Sequence, residues 1–548
     1  MLEARDHGTT LEARPDGDTK GFGHAKDSEP AAAGYVLAVD VGTTTIQGHV
    51  YGKQAEIVGS AIEKTALLYP QPGWVELEPE ALYEQFVKVA KAAVHDSGAK
   101  PSEIVALGIS TQRATFCTWH RETGKPFHNL LGWQDLRASH LVKDWNRSFS
   151  FRCLQGACKL LHTFSRQQRF QAASILRFST QHVTLRLVWA LRNIPQLGTA
   201  VREGNCCFGC IDTWLLYKLT NGQVYATDYS NASSTGVFDP FQMAWSGLLC
   251  SLFSIPPDIF PPIRDTGHIF GYTDKAVLGV SVPVAALIAD QQAAMFGECC
   301  FTHGDVKLTM GTGTFANMNT GEHPYTAVAG LYPLVGWKIG DEVVFLAEGN
   351  AADTGTSIEW AGHLGLFTDV AETADIANSV PDTDGVYFVP SFSGIQVPVN
   401  DPSACTAMFG LRPSTTPAHI VRAILESLIF RNKLLLDTME RETGIAIASI
   451  RVDGGVSNNT FVVQQTADVL GKTVHRAKRT NMSCQGAAFL AGLVVGFWTD
   501  RSQLVAMCGR HQQFEPRKGP LSMMDAFHRW EKAVERTRGW YNPENMSA

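Results

Sequence analysis

The sequence predicts an α/β protein built from two related domains that face each other across a cleft. Short apolar strands alternate with amphipathic helices from residue 35 onward, which is typical of a largely buried sheet. The strand and turn at residues 35–45 (YVLAVDVGTTT) have a counterpart at residues 305–315 (DVKLTMGTGTF). A third strand, at residues 450–459 (IRVDGGVSNN), again ends in an acid followed by glycines. A strand and turn repeated in two halves of the chain indicates two similar units.

The elements of the first half follow in order. Residues 35–39 form a buried strand that ends at Asp40, and residues 45–52 and 56–64 alternate as its antiparallel partners would. Residues 78–94 have helical spacing with acids in the first turn. The next buried strand, residues 102–110, leads into Thr111, Gln112 and Arg113. Side chains that follow such strands are where open α/β sheets place their active sites.

Composition excludes several classes of protein. The chain has 548 residues, of which 45% are hydrophobic and 18% charged, as in a globular protein and unlike a disordered or coiled-coil chain. Its net charge of −7 gives no overall electrostatic attraction for nucleic acid or anionic lipid. The longest apolar run, residues 486–498, is too short to span a membrane and predicts a tightly packed buried helix. Twelve scattered cysteines are typical of reduced thiols in a cytoplasmic protein.

The two Gly-Thr turns are candidate phosphate-binding loops. Glycine lets the backbone approach a ligand closely, and threonine hydroxyls with successive backbone N–H groups donate to phosphate oxygens. Thr43, Thr44 and Thr312 are therefore candidate phosphate contacts. Neither turn matches a Walker A loop or the Rossmann glycine fingerprint. The alternative is that these turns are only tight connections.

Asp290 is the candidate catalytic base. The apolar run from residue 282 ends at Asp290, where the pattern becomes helical. Phosphoryl transfer to an alcohol needs a carboxylate that accepts the hydroxyl proton, together with Mg²⁺. Asp40 is better placed to act on a hydrated Mg²⁺. Two alternatives stay open, that Asp290 is a helix N-cap and that Arg113 is a surface ion-pair residue.

A set of motifs resembles the FGGY carbohydrate kinases, and glycerol kinases in particular. The resemblance extends from residue 35 to residue 498 and keeps the family's order of motifs. The motifs are DVGTT at 40–44, GISTQR at 108–113, GWQD at 132–135, ADQQAAMFG at 289–297, MGTGTF at 310–315, VDGG at 452–455 and GAAFLAGLVVGFW at 486–498.

The resemblance implies two ribonuclease H-like domains of the actin and hexokinase superfamily, closing over ATP and substrate. It implies the following boundaries: a disordered leader at 1–33, an N-terminal kinase domain at 34–300, a C-terminal kinase domain at 301–500 and a helical extension at 501–548. The leader is expected from its composition as well. The resemblance also implies Asp290 as base and assigns the nucleotide contacts to Thr43, Thr44, Thr312, Gly355, Gly455 and Asn459.

For glycerol, the resemblance implies binding by Arg113, Asp290, Gln291, Trp133 and Phe315. Two of the family's glycerol contacts have no equivalent here. Position 114 is Ala where the family has Glu, and Arg177 lies near the position of a family Tyr. Gln47 also replaces an Arg that the family often places near the nucleotide phosphates, and PVN at 398–400 replaces the usual PYW.

Losing a hydrogen-bond partner in a buried polar site costs about 1–3 kcal/mol. We therefore expect weaker glycerol binding than in a standard glycerol kinase, or recognition of a related polyol.

These residues predict an ATP-dependent and Mg²⁺-dependent kinase that converts glycerol into glycerol 3-phosphate. Two other readings remain, a kinase for another polyol or sugar and a nucleotide-binding regulatory protein with weak turnover. The expected partner is a small polyol, with no nucleic acid and no membrane span, and homo-oligomerisation is left open.

Overall fold

The computed structural model describes residues 34–326, 328–477, 481–508, 512–517 and 521–541. The leader predicted for residues 1–33 lies outside these residues. Two large mixed sheets organise the described chain. The first has strands from residues 35–289 only, and the second has strands from residues 305–514.

Strands and helices alternate through the first part of the chain. Its strands are β1 (Tyr35–Val41), β2 (Thr45–Tyr51), β3 (Ile57–Lys64), β4 (Glu76–Leu77), β5 (Ile104–Thr111), β6 (Phe116–His120), β7 (Leu130–Leu131), β8 (Cys206–Cys210), β9 (Thr227–Asp228), β10 (Phe238–Asp239), β11 (Ala244–Trp245), β12 (Ile263–Arg264), β13 (Gly267–Tyr272) and β14 (Pro283–Ala289). Its helices are α1 (Pro79–Asp96), α2 (Ser139–Arg147), α3 (Phe149–Ser165), α4 (Gln168–Ile175), α5 (Val183–Asn193), α6 (Pro195–Arg202), α7 (Ile211–Leu219), α8 (Tyr229–Ser233), α9 (Gly247–Phe253), α10 (Lys275–Leu278) and α11 (Asp290–Gly297).

The same elements continue through the second part. Its strands are β15 (Asp305–Met310), β16 (Thr314–Gly321), β17 (Tyr332–Ile339), β18 (Glu342–Ala351), β19 (Tyr387–Val389), β20 (Ala407–Phe409), β21 (Ser449–Asp453), β22 (Val474–Arg476) and β23 (Gln512–Phe514). Its helices are α12 (Gly355–His363), α13 (Thr373–Asn378), α14 (Pro417–Thr443), α15 (Thr460–Leu470), α16 (Met482–Val494), α17 (Arg501–Met507) and α18 (Leu521–Thr537).

The first sheet has the order β13-β14-β5-β1-β2-β3. Strands β1, β5 and β14 run parallel, while β2 and β3 continue from β1 as antiparallel strands. Val41 and Ala289 both pair with Thr111, so the carboxyl ends of the three parallel strands finish side by side. The residues that follow each strand therefore meet at one edge of the sheet.

The second sheet repeats the arrangement of the first, as the matching sequence segments predict. Its order is β17-β18-β16-β15-β21-β22-β23. Strand β15 turns back through Gly311, Thr312 and Gly313 into antiparallel β16, just as β1 turns back into β2. Strand β21 then lies parallel to β15, as β5 lies parallel to β1. The predicted fold class is confirmed in this respect, with two related sheet-based units.

The last described residues pack into the second sheet's core. Between helices α17 and α18, strand β23 pairs with β22 and adds the edge strand of the second sheet. The side chains of Phe514, Phe527 and Trp530 are buried in the same cluster as β15 and α14. No helix among the described residues is long and apolar enough to cross a membrane.

Helix α16 joins the two parts of the chain. It carries most of the apolar run predicted to be a buried helix, and its residues from Gly486 to Gly492 are buried. It packs against α11 and against strands β5, β1 and β14 of the first sheet. Its side chains share one cluster with Trp337 and Leu346 of the second sheet and with Phe296 of α11.

Three glycines bring the backbones of α16, α11 and β5 into direct contact. A Cβ atom at Gly486 would lie 1.8 Å from the carbonyl oxygen of Ala293 in α11. One at Gly297 would lie 2.2 Å from the carbonyl oxygen of Met482, and one at Gly108 would lie 2.2 Å from that of Ala487. Real Cβ atoms do not approach backbone oxygen so closely, so a side chain at any of these positions would force the elements apart.

We expect Gly486→Ala to destabilise the fold by about 1–3 kcal/mol, because the added methyl group overpacks a backbone contact that cannot relax locally. The matched control is Gly156→Ala in α3, where an added Cβ meets nothing within 4 Å. Removing backbone freedom there should leave stability unchanged or raise it by up to about 1 kcal/mol. Urea denaturation of both variants measures the difference, and equal midpoints would contradict the packing argument.

Candidate active site

The candidate site begins where the three parallel strands of the first sheet end. Asp40 and Val41 close β1, Gln112 and Arg113 follow β5, and Asp290 follows β14. Asp290 is the first residue of α11, and Ala289 occupies the N-cap position. The Asp290 carboxylate accepts a hydrogen bond from the Gln291 backbone N–H at 2.7 Å. Asp290 is thus not the N-cap of α11, which was the alternative to its being the base.

Arg113 links the two sheets by charge. Its Nη1 donates to Glu348 Oε2 of strand β18 at 2.7 Å, and its Nε lies 3.6 Å from Asp290 Oδ1. The Arg113 and Glu348 side chains are only 15% and 9% exposed. Arg113 is therefore a largely buried charge held between two carboxylates, one from each sheet, and not the surface ion-pair residue that was the alternative.

Burial and neighbouring charges oppose each other at Asp290. Burial raises the pKa of the Asp290 carboxyl, while the Arg113 guanidinium, the Gln291 N–H and Lys307 lower it, and Glu348 raises it further. The net direction is upward. A carboxylate whose pKa rises toward neutrality becomes a stronger proton acceptor while Arg113 keeps its charged form accessible.

Asp40 is a second buried carboxyl at this edge. Burial, with repulsion from Asp290, raises its pKa to about 7, although a hydrogen bond from Ser110 lowers it. Ser110 Oγ donates to Asp40 Oδ1 at 2.6 Å, and the two residues pair across β1 and β5. Within the described residues no group of three or more His, Cys, Asp or Glu side chains could hold a metal.

Asp40 nevertheless fits Mg²⁺ in its chemistry. Mg²⁺ prefers oxygen ligands and is usually held by one or two carboxylates with waters and substrate phosphates. A dication would also relieve the repulsion between Asp40 and Asp290 that raises the Asp40 pKa.

The first Gly-Thr turn is hydrogen-bonded to Trp133, a predicted substrate residue. The indole Nε1 of Trp133 donates to Thr43 Oγ1 at 3.0 Å, and Gln112 Oε1 lies 3.5 Å from the same hydroxyl. Thr44 is exposed, and its carbonyl oxygen accepts from the Thr65 N–H. The turn thus presents one restrained and one exposed threonine hydroxyl.

The second Gly-Thr turn contacts the start of α12 through the backbone. The Gly355 N–H donates to the Gly311 carbonyl oxygen at 3.0 Å, and the Thr354 N–H donates to that of Thr312 at 3.0 Å. A Cβ atom at Gly355 would lie 2.7 Å from the Gly311 oxygen, so only glycine allows this approach. Thr312 itself is exposed. The two predicted contacts Thr312 and Gly355 are therefore brought together.

Gly455 and Asn459 lie in another turn, after strand β21. Strands β15 and β21 are parallel neighbours, with Thr309 paired to Asp453, so this turn follows the same edge of the second sheet. A Cβ atom at Gly455 would meet nothing within 4 Å. Asn459 is the N-cap of α15, and its side-chain amide donates to Thr373 Oγ1 at 2.9 Å. The side chain of Asn459 thus has a structural role, and its nucleotide contact stays a prediction.

The remaining predicted substrate residues surround Arg113 and Asp290. Gln291 Oε1 accepts from Lys307 Nζ at 2.7 Å, and this fully buried lysine comes from β15 of the second sheet. The Arg113 guanidinium lies 6.0 Å from the centroid of the Phe315 ring. Gln291 of α11 and Phe315 of β16 therefore both lie beside the charged cluster.

A row of side chains on the second sheet was not identified from the sequence. Asn317, Glu348 and Tyr332 occupy directly paired positions on β16, β18 and β17 and therefore share one face of the sheet. Asn317 Nδ2 donates to Glu348 Oε2 at 2.7 Å. The His182 ring meets Tyr332 edge to face at 5.6 Å between centroids. Only the pairing of three strands brings these residues together, so no local motif marks them.

The protonation state of His182 is set by its surroundings. Burial, with the charges of Arg186 and Arg113, lowers the pKa of His182 to about 4. The imidazole is therefore neutral near pH 7, with one nitrogen as donor and the other as acceptor. A neutral ring of this kind is suited to hydrogen-bonding hydroxyl groups.

Arg186 fixes three loops around the site. This fully buried guanidinium donates to six backbone carbonyl oxygens, at distances from 2.7 to 3.2 Å. The acceptors are the carbonyls of Ala114, Leu131, Gly132, Thr180, Gln181 and His182. The segments that carry Arg113, Trp133 and His182 are thereby held to one another. The sequence alone gives no sign of this role.

The structure gives a role to one of the residues that depart from the family pattern, Gln47, and a position to two others. Ala114 adopts a positive φ of 58°, and Arg177 is exposed. Gln47 Oε1 accepts from Asn481 Nδ2 at 2.5 Å, so it joins β2 to the start of α16. Nothing in the structure explains the PVN sequence at 398–400.

Comparisons with known proteins show the family to which the chain belongs. The N-terminal and C-terminal domain models of the FGGY family of carbohydrate kinases match residues 35–297 and 306–494. The chain is 59% identical over 515 residues to glycerol kinase 5 of Danio rerio, covering 93% of this chain and 97% of that protein. It is 35% identical over 507 residues to glycerol kinase 2 of Thermotoga maritima, covering 92% and 99%.

Solved structures show the same fold. The crystal structure of Plasmodium falciparum glycerol kinase with ADP superposes with a TM-score of 0.84 at 28% identity, covering 93% of this chain and 99% of that one. Xylulose kinase from Lactobacillus acidophilus superposes with a TM-score of 0.78 at 19% identity, covering 92% and 98%, which shows the fold alone. The predicted two-domain fold of the actin and hexokinase superfamily is confirmed. The chain therefore belongs to the FGGY family of carbohydrate kinases.

Proposed function

We propose that this kinase transfers the terminal phosphoryl group of ATP to glycerol, forming glycerol 3-phosphate, with Asp290 as the general base. The observation that carries the proposal is the position of the Asp290 carboxylate, 3.6 Å from Arg113 on the edge where Asp40 and the first Gly-Thr turn also lie. The relatives named above as glycerol kinases, one of them with ADP, support ATP and glycerol as the substrates.

In the proposed reaction, Asp290 accepts the proton of the attacking hydroxyl. Arg113 offers N–H donors that orient the polyol, and Gln291, restrained by Lys307, positions its amide beside the base. Burial of these groups strengthens their interactions with the substrate because little water screens them. Closure of the two sheet-based units would exclude water from the transferred group.

The nucleotide would be held by groups of both sheets. The hydroxyls of Thr43, Thr44 and Thr312 would donate to phosphate oxygens, and Gly355, Gly455 and Asn459 would lie along the rest of the nucleotide. Asp40 would hold hydrated Mg²⁺. When bound, Mg²⁺ supplies neutralisation of the charge that develops on the phosphate oxygens.

The polyol site is proposed to obtain its missing carboxylate and phenol from the second sheet. Glu348, Tyr332 and neutral His182 stand opposite Arg113, where Ala114 and Arg177 leave family contacts absent. Phe315 and Trp133 would pack against the carbon chain. This rearrangement favours a second candidate substrate, a polyol other than glycerol that reaches further toward His182.

We also propose a cytoplasmic location for this protein. The ground is its scattered cysteines, which are typical of reduced thiols.

Asp290→Asn should lower kcat roughly 10²- to 10⁴-fold, because an amide cannot accept the hydroxyl proton. A coupled ADP-release assay with glycerol measures the change. Asp144→Asn on α2, an exposed position, is the matched control and should keep full turnover. Turnover of Asp290→Asn within a few-fold of the unchanged protein would refute the base assignment.

Glu348→Gln should raise the KM for glycerol about 10-fold or more, because Arg113 loses the nearer of its two charged partners and the polyol loses a charged acceptor. The KM for ATP should change far less. Glu342→Gln lies on the same strand but pairs with Arg501 away from the site, and it serves as the control. Both variants are assayed across glycerol, C4 and C5 polyols. An unchanged KM for every polyol would contradict the proposed role of Glu348.

A further inference from the structure

Helix α3 belongs to a part of the chain that the proposed reaction does not use. It is a surface helix of 17 residues that packs beside α4 and α2. Its inner side buries Phe151 and Cys158, and Gln155 Nε2 donates to the Leu176 carbonyl oxygen at 2.8 Å. The inner contacts fix the helix to the protein and so determine which side chains point outward.

The opposite side of α3 is apolar and exposed. Phe149 is 83% exposed, Leu160 60%, Leu161 48% and Phe164 80%. At 3.6 residues per turn, Phe149, Leu160 and Phe164 fall within about 60° of one another around the helix axis, and Leu161 extends the same side. We call these four side chains the outer face of α3. A contiguous exposed apolar face of this kind is a recurrent mark of an interaction site.

The chain segment that contains α3 is basic. Residues 139–177 contain seven Lys or Arg residues and a single acid, Asp144, in a chain whose net charge is −7. Six of the basic residues are exposed: Lys143, Arg147, Arg152, Lys159, Arg166 and Arg177. The seventh, Arg169, pairs with Asp239 at 2.8 Å. This segment is therefore locally positive, opposite in sign to the molecule as a whole, and its residues Arg152 and Lys159 lie on α3 itself.

The combination favours a lipid surface over a second protein copy. A 17-residue helix is about 25 Å long and 10 Å wide, so its outer face covers far less than the roughly 800 Å² per partner of a stable dimer. Two copies would also bring their basic rims together, which is repulsive. An anionic bilayer instead accepts the phenyl and leucyl side chains below its headgroups and pairs with the basic rim above them.

We propose that α3 docks this kinase on anionic membranes, lying in the plane of the interface with its outer face among the acyl chains and Arg152 and Lys159 at the phosphate level. Binding through one helix is reversible and weakens with salt, since part of it is electrostatic. The surface is separate from the proposed phosphoryl-transfer site, so its test does not depend on the identity of the polyol.

Vesicle flotation with the full-length protein tests this proposal. The probes are phosphatidylcholine vesicles with and without 30% phosphatidylserine, at low and physiological salt. The unchanged protein should float with the phosphatidylserine vesicles, and less at higher salt. Arg152→Gln with Lys159→Gln should lower the partition coefficient about 25-fold, at about fivefold for each basic residue. Phe149→Ser with Phe164→Ser should abolish flotation.

The control is Leu364→Ser with Leu411→Ser, two leucines outside α3 that are 58% and 57% exposed, as Leu160 is at 60%, and this variant should float like the unchanged protein. ATP turnover of each variant, measured without vesicles, should stay unchanged and so verifies folding. Absence of flotation by the unchanged protein would overturn the proposal, as would flotation that neither α3 variant reduces. A dimer seen by sedimentation velocity without vesicles and lost in the Phe149→Ser, Phe164→Ser variant would assign the face to a second copy instead.

Discussion

The whole active-site edge depends on the direct backbone contact among α11, α16 and β5. Gly486, Gly297 and Gly108 permit this contact because each lacks a Cβ atom where a backbone oxygen lies closer than any side chain allows. Helix α11 begins at Asp290, and β5 leads into Arg113. Fixing these two elements against one helix therefore fixes the Asp290 carboxylate, the proposed base, relative to the Arg113 guanidinium. Since α16 also packs on side chains of the second sheet, the same contact carries the alignment between sheets.

Buried charged side chains also hold the two sheets together. The Arg113 guanidinium sits between Asp290 and Glu348, and Lys307 reaches from the second sheet to Gln291. Charges this well buried are costly unless paired, so the sheets cannot separate fully without exposing or unpairing them. Arg186 acts differently, since its partners are neutral carbonyl oxygens. Its function in the structure is to hold loops in place, and burial lowers the pKa of Arg186 to about 10 without removing its charge at neutral pH.

Sequence alone predicted the features that are local in the chain. The strand ends at Asp40, Arg113 and Asp290 follow from apolar runs that stop at polar residues, and the repeated Gly-Thr turns predicted the paired sheets. Glu348 and Tyr332 could not be predicted in this way, because their meeting depends on the register of β17 with β18. The role of Arg186 could not be predicted for another reason. Its side chain donates only to backbone carbonyl oxygens, which every residue has, so no partner residue type marks this role in the sequence.

The residues proposed for the reaction and those proposed for substrate specificity lie on different elements. Asp40 lies near the end of β1, and Arg113 and Asp290 follow β5 and β14, which are parallel neighbours in fixed register, so a substitution on the face of the second sheet can leave their geometry intact. Glu348, Tyr332 and His182 approach the same space from the second sheet and from the loop before α5. Ala114 removes a carboxylate next to Arg113, yet Glu348 still gives Arg113 a charged partner. Under the proposed function, residues of the second sheet and the loop before α5 can therefore change which polyol fits, while the strand ends keep the proposed base and its arginine partner in place.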